Sequence, residues 1–308
     1  MSKCAFIFPG QGSQYPGMGK DLADNFAVAR QIFEEADDAL GSNLSRLCFE
    51  GPEDQLKLTA NTQPAILTVS VAALRVLQAE TGLIADYLAG HSLGEYSALV
   101  AAGALQFADA VRTVRARGTF MQEAVPVGVG AMAAMLSIEP DVLAAICSEA
   151  AQGEEVSPAN FNSPGQIVIA GHTGAVNRAI DIAKAKGFRK AMLLPVSAPF
   201  HSSLMVPAGE RLAGVLDSIA VDDLCAPVVT NVEARPNADK GRVKDLLVRQ
   251  VSAPVLWDAS VREMVSLGVS EFVEVGPGKV LSGLVKRIDK AVASKNVEDT
   301  AGIKAIGE

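Results

Sequence analysis

The stretch Tyr87-Leu88-Ala89-Gly90-His91-Ser92-Leu93-Gly94 decides the fold. A short apolar run leads into a serine flanked by glycines in G-x-S-x-G spacing, the sequence form of a strand that turns sharply into a helix. The glycines let the backbone turn tightly enough to hold Ser92 in a strained conformation with its hydroxyl exposed. Glu95-Tyr96-Ser97-Ala98-Leu99-Val100-Ala101-Ala102 supplies the good helix formers that such an elbow needs. Five residues alone fit an ordinary tight turn as well as a nucleophile; the apolar run before them and the helix after them favour the nucleophile.

Working outward, 308 residues with a hydrophobic share of 49% and a charged share of 20% describe a globular chain able to bury a large core. A formal charge of −8 argues against a general nucleic-acid or anionic-membrane surface. No apolar run approaches the about 18 residues of a membrane span, and the N-terminus lacks a signal-peptide core. Cys4, Cys48, Cys147 and Cys225 have no metal-ligand or redox spacing and read as thiols of a reducing compartment, so the cytoplasm is expected.

Cys4-Ala5-Phe6-Ile7-Phe8 is a continuous apolar run ended by Pro9-Gly10 and predicts a buried parallel strand. The loop after it, Pro9 to Gly19, has neither a third glycine in dinucleotide spacing nor a Gly-Lys-Ser/Thr. It reads as a wide turn before a helix from Phe26 to Leu40, or as a carrier of the Gln11 amide. In elbow enzymes that amide and the one after the nucleophile, here Leu93, form an oxyanion hole. Gln63-Pro64 is expected to open a helix running to Ala79, capped by Thr62. A further helix, Phe107 to Val125, carries Arg112 and Arg115, read as a solvated face. It also carries Arg117, whose guanidinium could grip a carboxylate with two parallel hydrogen bonds.

From Pro126 to Pro195 the rhythm changes to strand (Ala131 to Ser137), helix (Pro140 to Ala151), strand (Val156 to Phe161), strand (Gln166 to Ala170), helix (Thr173 to Lys186) and strand (Ala191 to Val196). That β-α-β-β-α-β order is ferredoxin-like. It predicts a small subdomain, 128–196, inserted between core segments 1–127 and 197–308, with the site in the cleft. Asn160 to Gly165 reads as a turn, with cleft lining the minor alternative. Of the three histidines, His91 is expected to stabilise the elbow and His172 to be incidental, whereas His201 lies where a later strand ends and suits the base. An acid between Ser92 and His201 is missing: Asp141 and Asp181 fall on helices of the insertion. A backbone carbonyl from Leu246 to Trp257 is the expected substitute. Glu271 to Val275 reads as the last strand, followed by a turn, Gly276 to Lys279, and a final helix.

These motifs together resemble the malonyl-CoA:acyl carrier protein transacylases of fatty acid synthesis and, more distantly, the acyltransferase domains of polyketide synthases. The resemblance runs through Phe8-Pro9-Gly10-Gln11-Gly12-Ser13-Gln14, Thr62-Gln63-Pro64-Ala65, Gly90-His91-Ser92-Leu93-Gly94-Glu95, Arg117-Gly118, Gln122-Glu123-Ala124, Asn160-Phe161-Asn162-Ser163-Pro164, Phe200-His201-Ser202 and Glu274-Val275-Gly276-Pro277-Gly278, nearly the whole chain. It implies an α/β fold, a hydrolase-like core with a mainly parallel sheet and an inserted ferredoxin-like subdomain. It also implies ping-pong transfer of malonyl from malonyl-CoA to acyl carrier protein, with Ser92 as nucleophile and His201 as base. Arg117 would hold the malonyl carboxylate, the Gln11 and Leu93 amides would form the oxyanion hole, and the Gln250 carbonyl would orient His201. Gln63, Asn160 and Asn162 would line the pocket, and Phe200 matches the malonyl-type pattern. No metal or bound cofactor is implied, since the CoA thioester is a substrate. A monomer is expected, and an acidic carrier would need a local basic patch, with Lys184, Lys186, Arg189 and Lys190 or Lys286, Arg287 and Lys290 as candidates. A serine hydrolase on the same elbow and a catalytically silent carrier-binding protein are the alternatives; the missing acid weighs against the first and an intact Ser92 with His201 against the second.

Overall fold

In strand β1 (Lys3–Phe8), Phe6 and Phe8 pack into one apolar cluster and Ala5 and Ile7 into another on the opposite side. Both faces of this strand are therefore covered, which is why its sequence is continuously apolar instead of alternating. The computed structural model describes residues 3–196 and 198–307, in which nine more strands follow: β2 (Tyr87–Gly90), β3 (Gly130–Leu136), β4 (Val156–Ser163), β5 (Gln166–His172), β6 (Ala191–Leu193), β7 (Val228–Val229), β8 (Pro236–Asn237), β9 (Val269–Val275) and β10 (Ala293–Val297). One sheet has the order β10-β9-β1-β2-β7-β8 and is parallel except for its last pair; the other is antiparallel with the order β4-β5-β3-β6.

The second sheet joins β3, β4, β5 and β6 through the helices Pro140–Ala151 and Thr173–Ala185, and its strand order is that of a ferredoxin-like unit. It has its own core, in which Ile146, Ile167, Ile169 and Ile180 meet. Two backbone hydrogen bonds tie it to the first sheet's lobe: Phe161 N–H donates to Val255 O at 2.9 Å, and Val255 N–H to Ala159 O at 2.9 Å. The boundary expected at Ser197 lies outside the described residues.

Register places the site. Phe8 stands opposite Gly90 and Ile7 opposite Glu274, while Ala89 pairs with Val229. The segments that leave β9, β1, β2 and β7 therefore emerge side by side at one carboxyl edge, where open α/β sheets bind ligands.

Several expectations need correcting. The helix expected to open at Gln63 begins at Thr59 and runs to Thr81, with Pro64 in its interior. Thr62 is not its cap; its hydroxyl donates back to Leu56 O at 2.6 Å, satisfying a carbonyl ahead of the helix. The extra turn is fixed by the neighbouring helix Phe107–Glu123, because Gly118 lies so close to Thr59 that a Cβ there would meet Thr59 O at 2.5 Å. Asn160 to Ser163 belong to β4 and not to a turn, which needs only Pro164-Gly165 with Gly165 at φ +69. The last strand is β10, and the helix Val280–Ile288 is followed by another, Thr300–Gly307. Arg115 is half-buried against Asn61 and is no free solvated charge, unlike Arg112, which pairs with Asp109 at 2.7 Å. No helix among the described residues is long and apolar enough to cross a membrane.

Gly118→Ala is expected to destabilise the chain by about 1–3 kcal/mol, since the added methyl meets backbone atoms that cannot rotate away. Denaturant unfolding monitored by circular dichroism would show it, and an unchanged midpoint would mean that the two helices part freely.

Candidate active site

Ser92 has φ +51, a conformation that a non-glycine residue adopts only when its surroundings impose it. The constraint is steric: a Cβ on Gly90 would lie 1.9 Å from Gly94 C, and one on Gly94 2.1 Å from Phe8 O. Asn231, just after β7, ties the turn from behind. Its Oδ1 accepts from Ser92 N–H at 2.6 Å and its Nδ2 donates to Gly90 O at 2.6 Å.

His201 is 4% exposed and its Nε2 accepts from the Ser92 hydroxyl at 2.7 Å. Its Nδ1 faces two carbonyls, Gln250 O at 2.9 Å and Ala253 O at 3.1 Å. Only an N–H can satisfy both acceptors, so the proton sits on Nδ1 and Nε2 keeps its lone pair for the serine. The Gln250 carbonyl is free for this because Gln250 ends the helix Val243–Gln250, whose last carbonyls have no partner within the helix. Burial, with the positive Arg117 adding to it, pushes the His201 pKa down to about 3. The ring is neutral at neutral pH.

Arg117 is 2% exposed, and its hydrogen bonds go to neutral groups. Nη1 donates to Gln63 Oε1 at 2.7 Å, and Nη2 to Gln250 Oε1 at 3.0 Å and Ser92 Oγ at 3.1 Å. Among the described residues it makes no ion pair, so a permanently charged group is buried in the site without a bonded anion. Gln63 is held in turn: its Nε2 donates to Thr59 Oγ1 at 3.2 Å, and that hydroxyl donates to Gln11 Oε1 at 2.7 Å. One chain of hydrogen bonds thus joins the Gln11 loop to the guanidinium.

A cavity opens onto these groups. Gln11, Gln63 and Asn160 line its polar side, Leu93 lines it beside the serine, and Met121, Met132, Leu194, Val196 and Phe200 form an apolar wall. Asn162 does not reach it. Its Oδ1 accepts from His91 Nε2–H at 2.8 Å and lines an adjoining groove with Gly10 and Gln11, so His91 bridges the elbow to the antiparallel sheet instead of stabilising the turn alone. His172 accepts from Glu155 N–H at 2.9 Å, far from the elbow in the antiparallel unit.

The Ala253 carbonyl falls within the stretch Leu246 to Trp257 expected to supply one, whereas two contributions have no counterpart among the sequence expectations. Asn231 carries no sequence signal, since β7 has only two residues. Glu95 had one: it is the sole charge in the apolar helix Gly94–Ala101. It is 2% exposed, and its Oε2 accepts from Asn231 N–H at 2.9 Å and Gln250 Nε2–H at 2.8 Å. Among the described residues no group of three or more His, Cys, Asp or Glu is placed to hold a metal.

The arrangement of serine, neutral histidine and buried cation suits acyl transfer through a serine ester, and comparison with known proteins agrees. Residues 5–306 match the family model described as an acyl transferase domain. The chain is 49% identical to the malonyl CoA-acyl carrier protein transacylase of Bacillus subtilis over 305 residues, covering 99% of this chain and 96% of that one. It superposes on the acyl carrier protein S-malonyltransferase of Vibrio cholerae with a TM-score of 0.96 at 48% identity, covering 99% of this chain and 100% of the other. A malonyl-transacylase solved in complex with a type II PKS acyl-carrier protein gives a TM-score of 0.96 at 47% identity, over 99% of this chain and 98% of that one. With a family model spanning nearly its whole length and relatives of this identity, the chain belongs to the acyltransferase family, alongside the malonyl CoA-acyl carrier protein transacylases.

Proposed function

We propose that this enzyme moves the malonyl group of malonyl-CoA to the phosphopantetheine thiol of an acyl carrier protein through a malonyl-serine ester, supplying extender units for fatty acid synthesis. The observation that carries this reading is Arg117, a buried guanidinium with only neutral partners, 3.1 Å from Ser92 Oγ. An acyl group bearing a carboxylate satisfies it; an acetyl group leaves it as it is.

In the first half-reaction Ser92 Oγ attacks the thioester carbonyl while His201 Nε2 takes its proton. The developing oxyanion is held by the amides of Leu93 and Gln11, a type of contact whose removal costs about 10²–10³ in rate. The tetrahedral intermediate collapses, the C–S bond breaks, and the CoA sulfur leaves with the proton from His201. In the second half the carrier thiol gives its proton to His201 and attacks the malonyl ester, and Ser92 Oγ leaves with that proton. Gln250 holds His201 through its carbonyl and Arg117 through its side chain, Gln63 fixes the other side of the guanidinium, and Asn160 and Phe200 bound the space for the acyl group. The chemistry calls for no cofactor.

The carrier is proposed to dock at one end of the antiparallel sheet. There Arg287 donates to Gln166 Oε1 at 2.6 Å, Gln166 stands opposite Leu136, and Leu136 N–H donates to Lys190 O at 2.9 Å, so both basic segments converge. Arg189, Lys190, Lys286 and Arg287 are exposed there, whereas Lys184 and Lys186 are paired with Asp181 and Glu149. Lys290 follows the end of its helix at Ile288. Segments 1–127 with 197–308 and segment 128–196 would act as two lobes with the substrate between them, in a monomer, since one chain supplies every group. The four free thiols suit a cytoplasmic setting.

Intact mass after brief exposure to malonyl-CoA is expected to show a malonyl adduct on the wild type and none on Ser92→Ala, discharged on adding phosphopantetheinylated carrier. An adduct lost equally fast to water would point to a hydrolase. Arg117→Ala should lower malonyl loading about tenfold or more relative to acetyl loading; equal losses would show that Arg117 does not select the acyl group. Because burial lowers the His201 pKa, its base form persists below the ordinary imidazole value of about 6.5. Sulfonylation of Ser92 by phenylmethanesulfonyl fluoride should therefore hold within about twofold from about pH 8 to about pH 5. A fall centred on the ordinary value would place His201 in water.

A further inference from the structure

Arg117 has no bonded anion, but a carboxylate lies one side chain away. Gln250 is fully buried between them: its Oε1 accepts from Arg117 Nη2 at 3.0 Å, and its Nε2 donates to Glu95 Oε2 at 2.8 Å. The amide is thereby oriented with its negative end toward the guanidinium and its positive end toward the carboxylate. Each charge stabilises the other through it.

We propose that Glu95 is an internal counter-charge that competes with the carboxylate of the incoming acyl group for Arg117, and so sets how strongly a carboxylated acyl group is preferred. In the empty site the two charges sum to zero. A bound acyl carboxylate brings a second negative charge to the same buried cation, and either the substrate or Glu95 must give way. Glu95 gives way by taking up a proton from solvent. The helix Gly94–Ala101 that carries Glu95 also supplies Tyr96, whose ring lies 5.6 Å from the Arg117 guanidinium carbon. Gln250, Val243 and Leu246 face it from the helix Val243–Gln250, and Val228 of β7, Thr230 just after that strand and Asn237 of β8 from the sheet, none of them titratable. His201 is joined to it through Gln250 and, by a longer route, through Ser92 and Asn231. Among the described residues Arg117 is thus the one permanent charge that acts on Glu95. Burial raises the Glu95 carboxyl to about 7, against the pull of Asn231, Gln250 and Arg117, which leaves it poised for this exchange. Binding of the acyl carboxylate and protonation of Glu95 must then favour each other equally.

This inference rests on the malonyl reading, and Glu95 acts through Arg117 without touching substrate. The test measures binding of malonyl-CoA and acetyl-CoA to Ser92→Ala, which cannot be acylated at that position, and to Ser92→Ala/Glu95→Gln, between about pH 6 and about pH 8.5. The preference for malonyl-CoA is expected to fall about tenfold with rising pH when Glu95 is present, the factor for one unit of coupling. With Glu95→Gln it should stay high and flat. Acetyl-CoA carries the same CoA phosphates and cancels their titration. The same pH dependence in both backgrounds would assign the proton to another group and overturn the proposal. Should Glu95→Gln not fold, Ser92→Ala alone decides, because a preference flat with pH overturns the idea. A preference absent at every pH would sink the malonyl reading itself, and this inference with it.

Discussion

The constraint on which the site depends is a backbone contact between the start of the helix Gly94–Ala101 and the ends of two neighbouring strands. Gly94 presses its Cα against the carbonyl of Phe8, and Gly90 folds back onto Gly94 so closely that neither position has room for a methyl group. That contact sets the angle at which the chain leaves β2 and forces Ser92 to positive φ, and Gln11 and Leu93 line the same cavity. Gly10 extends the same logic, since a Cβ there would lie 2.4 Å from His91 O. Asn231 then locks the turn from the next strand over. The serine is thus presented by packing between backbones, which thermal motion of side chains disturbs little.

Where a third acidic member would stand in a triad, this protein places two carbonyls and a low-dielectric environment. The carbonyls fix the tautomer of His201 without supplying a full negative charge, and the help their hydrogen bonds give to an imidazolium is outweighed by burial and Arg117, which oppose it. In the proposed reaction the acyl carboxylate meets Arg117 directly, where Glu95 reaches it only through the Gln250 amide, and so removes part of that opposition just when His201 must accept a proton. The substrate would then contribute to the electrostatics of its own transfer, and an acyl group without a carboxylate would meet a poorer base as well as a poorer fit.

Much of this was legible in the residues. The strands Lys3–Phe8 and Tyr87–Gly90 were readable because burial on both faces leaves a continuous apolar run, and the β-α-β-β-α-β order because each segment kept its own period. What escaped was whatever long-range packing decides. Pro64 suggested a helix start, but contact with Gly118 adds another turn before it. Asn160 and Asn162 look like turn residues because their strand preference is weak, and pairing with β5 and Val255 overrides it. β7 is too short to register as a pattern, which concealed Asn231 as well. Gln250 was placed by resemblance, yet neither its side chain nor Glu95 could be connected to Arg117 without knowing which faces of three helices meet.

The pair of hydrogen bonds between β4 and Val255 has a consequence for how such a fold diversifies. Val255 follows Ala253, one of the two carbonyls on His201, by two residues, so the antiparallel unit is stitched to the segment that aims the base. An insertion is usually regarded as an accessory that lineages can exchange while the parent machinery stays intact. Here the seam runs through the machinery: a transplanted unit would have to offer Val255 the same two backbone partners and meet His91 with an asparagine, or the histidine would lose its aim. Descendants of this architecture are therefore freer to vary the outer helices of the insertion than the one strand that faces the core.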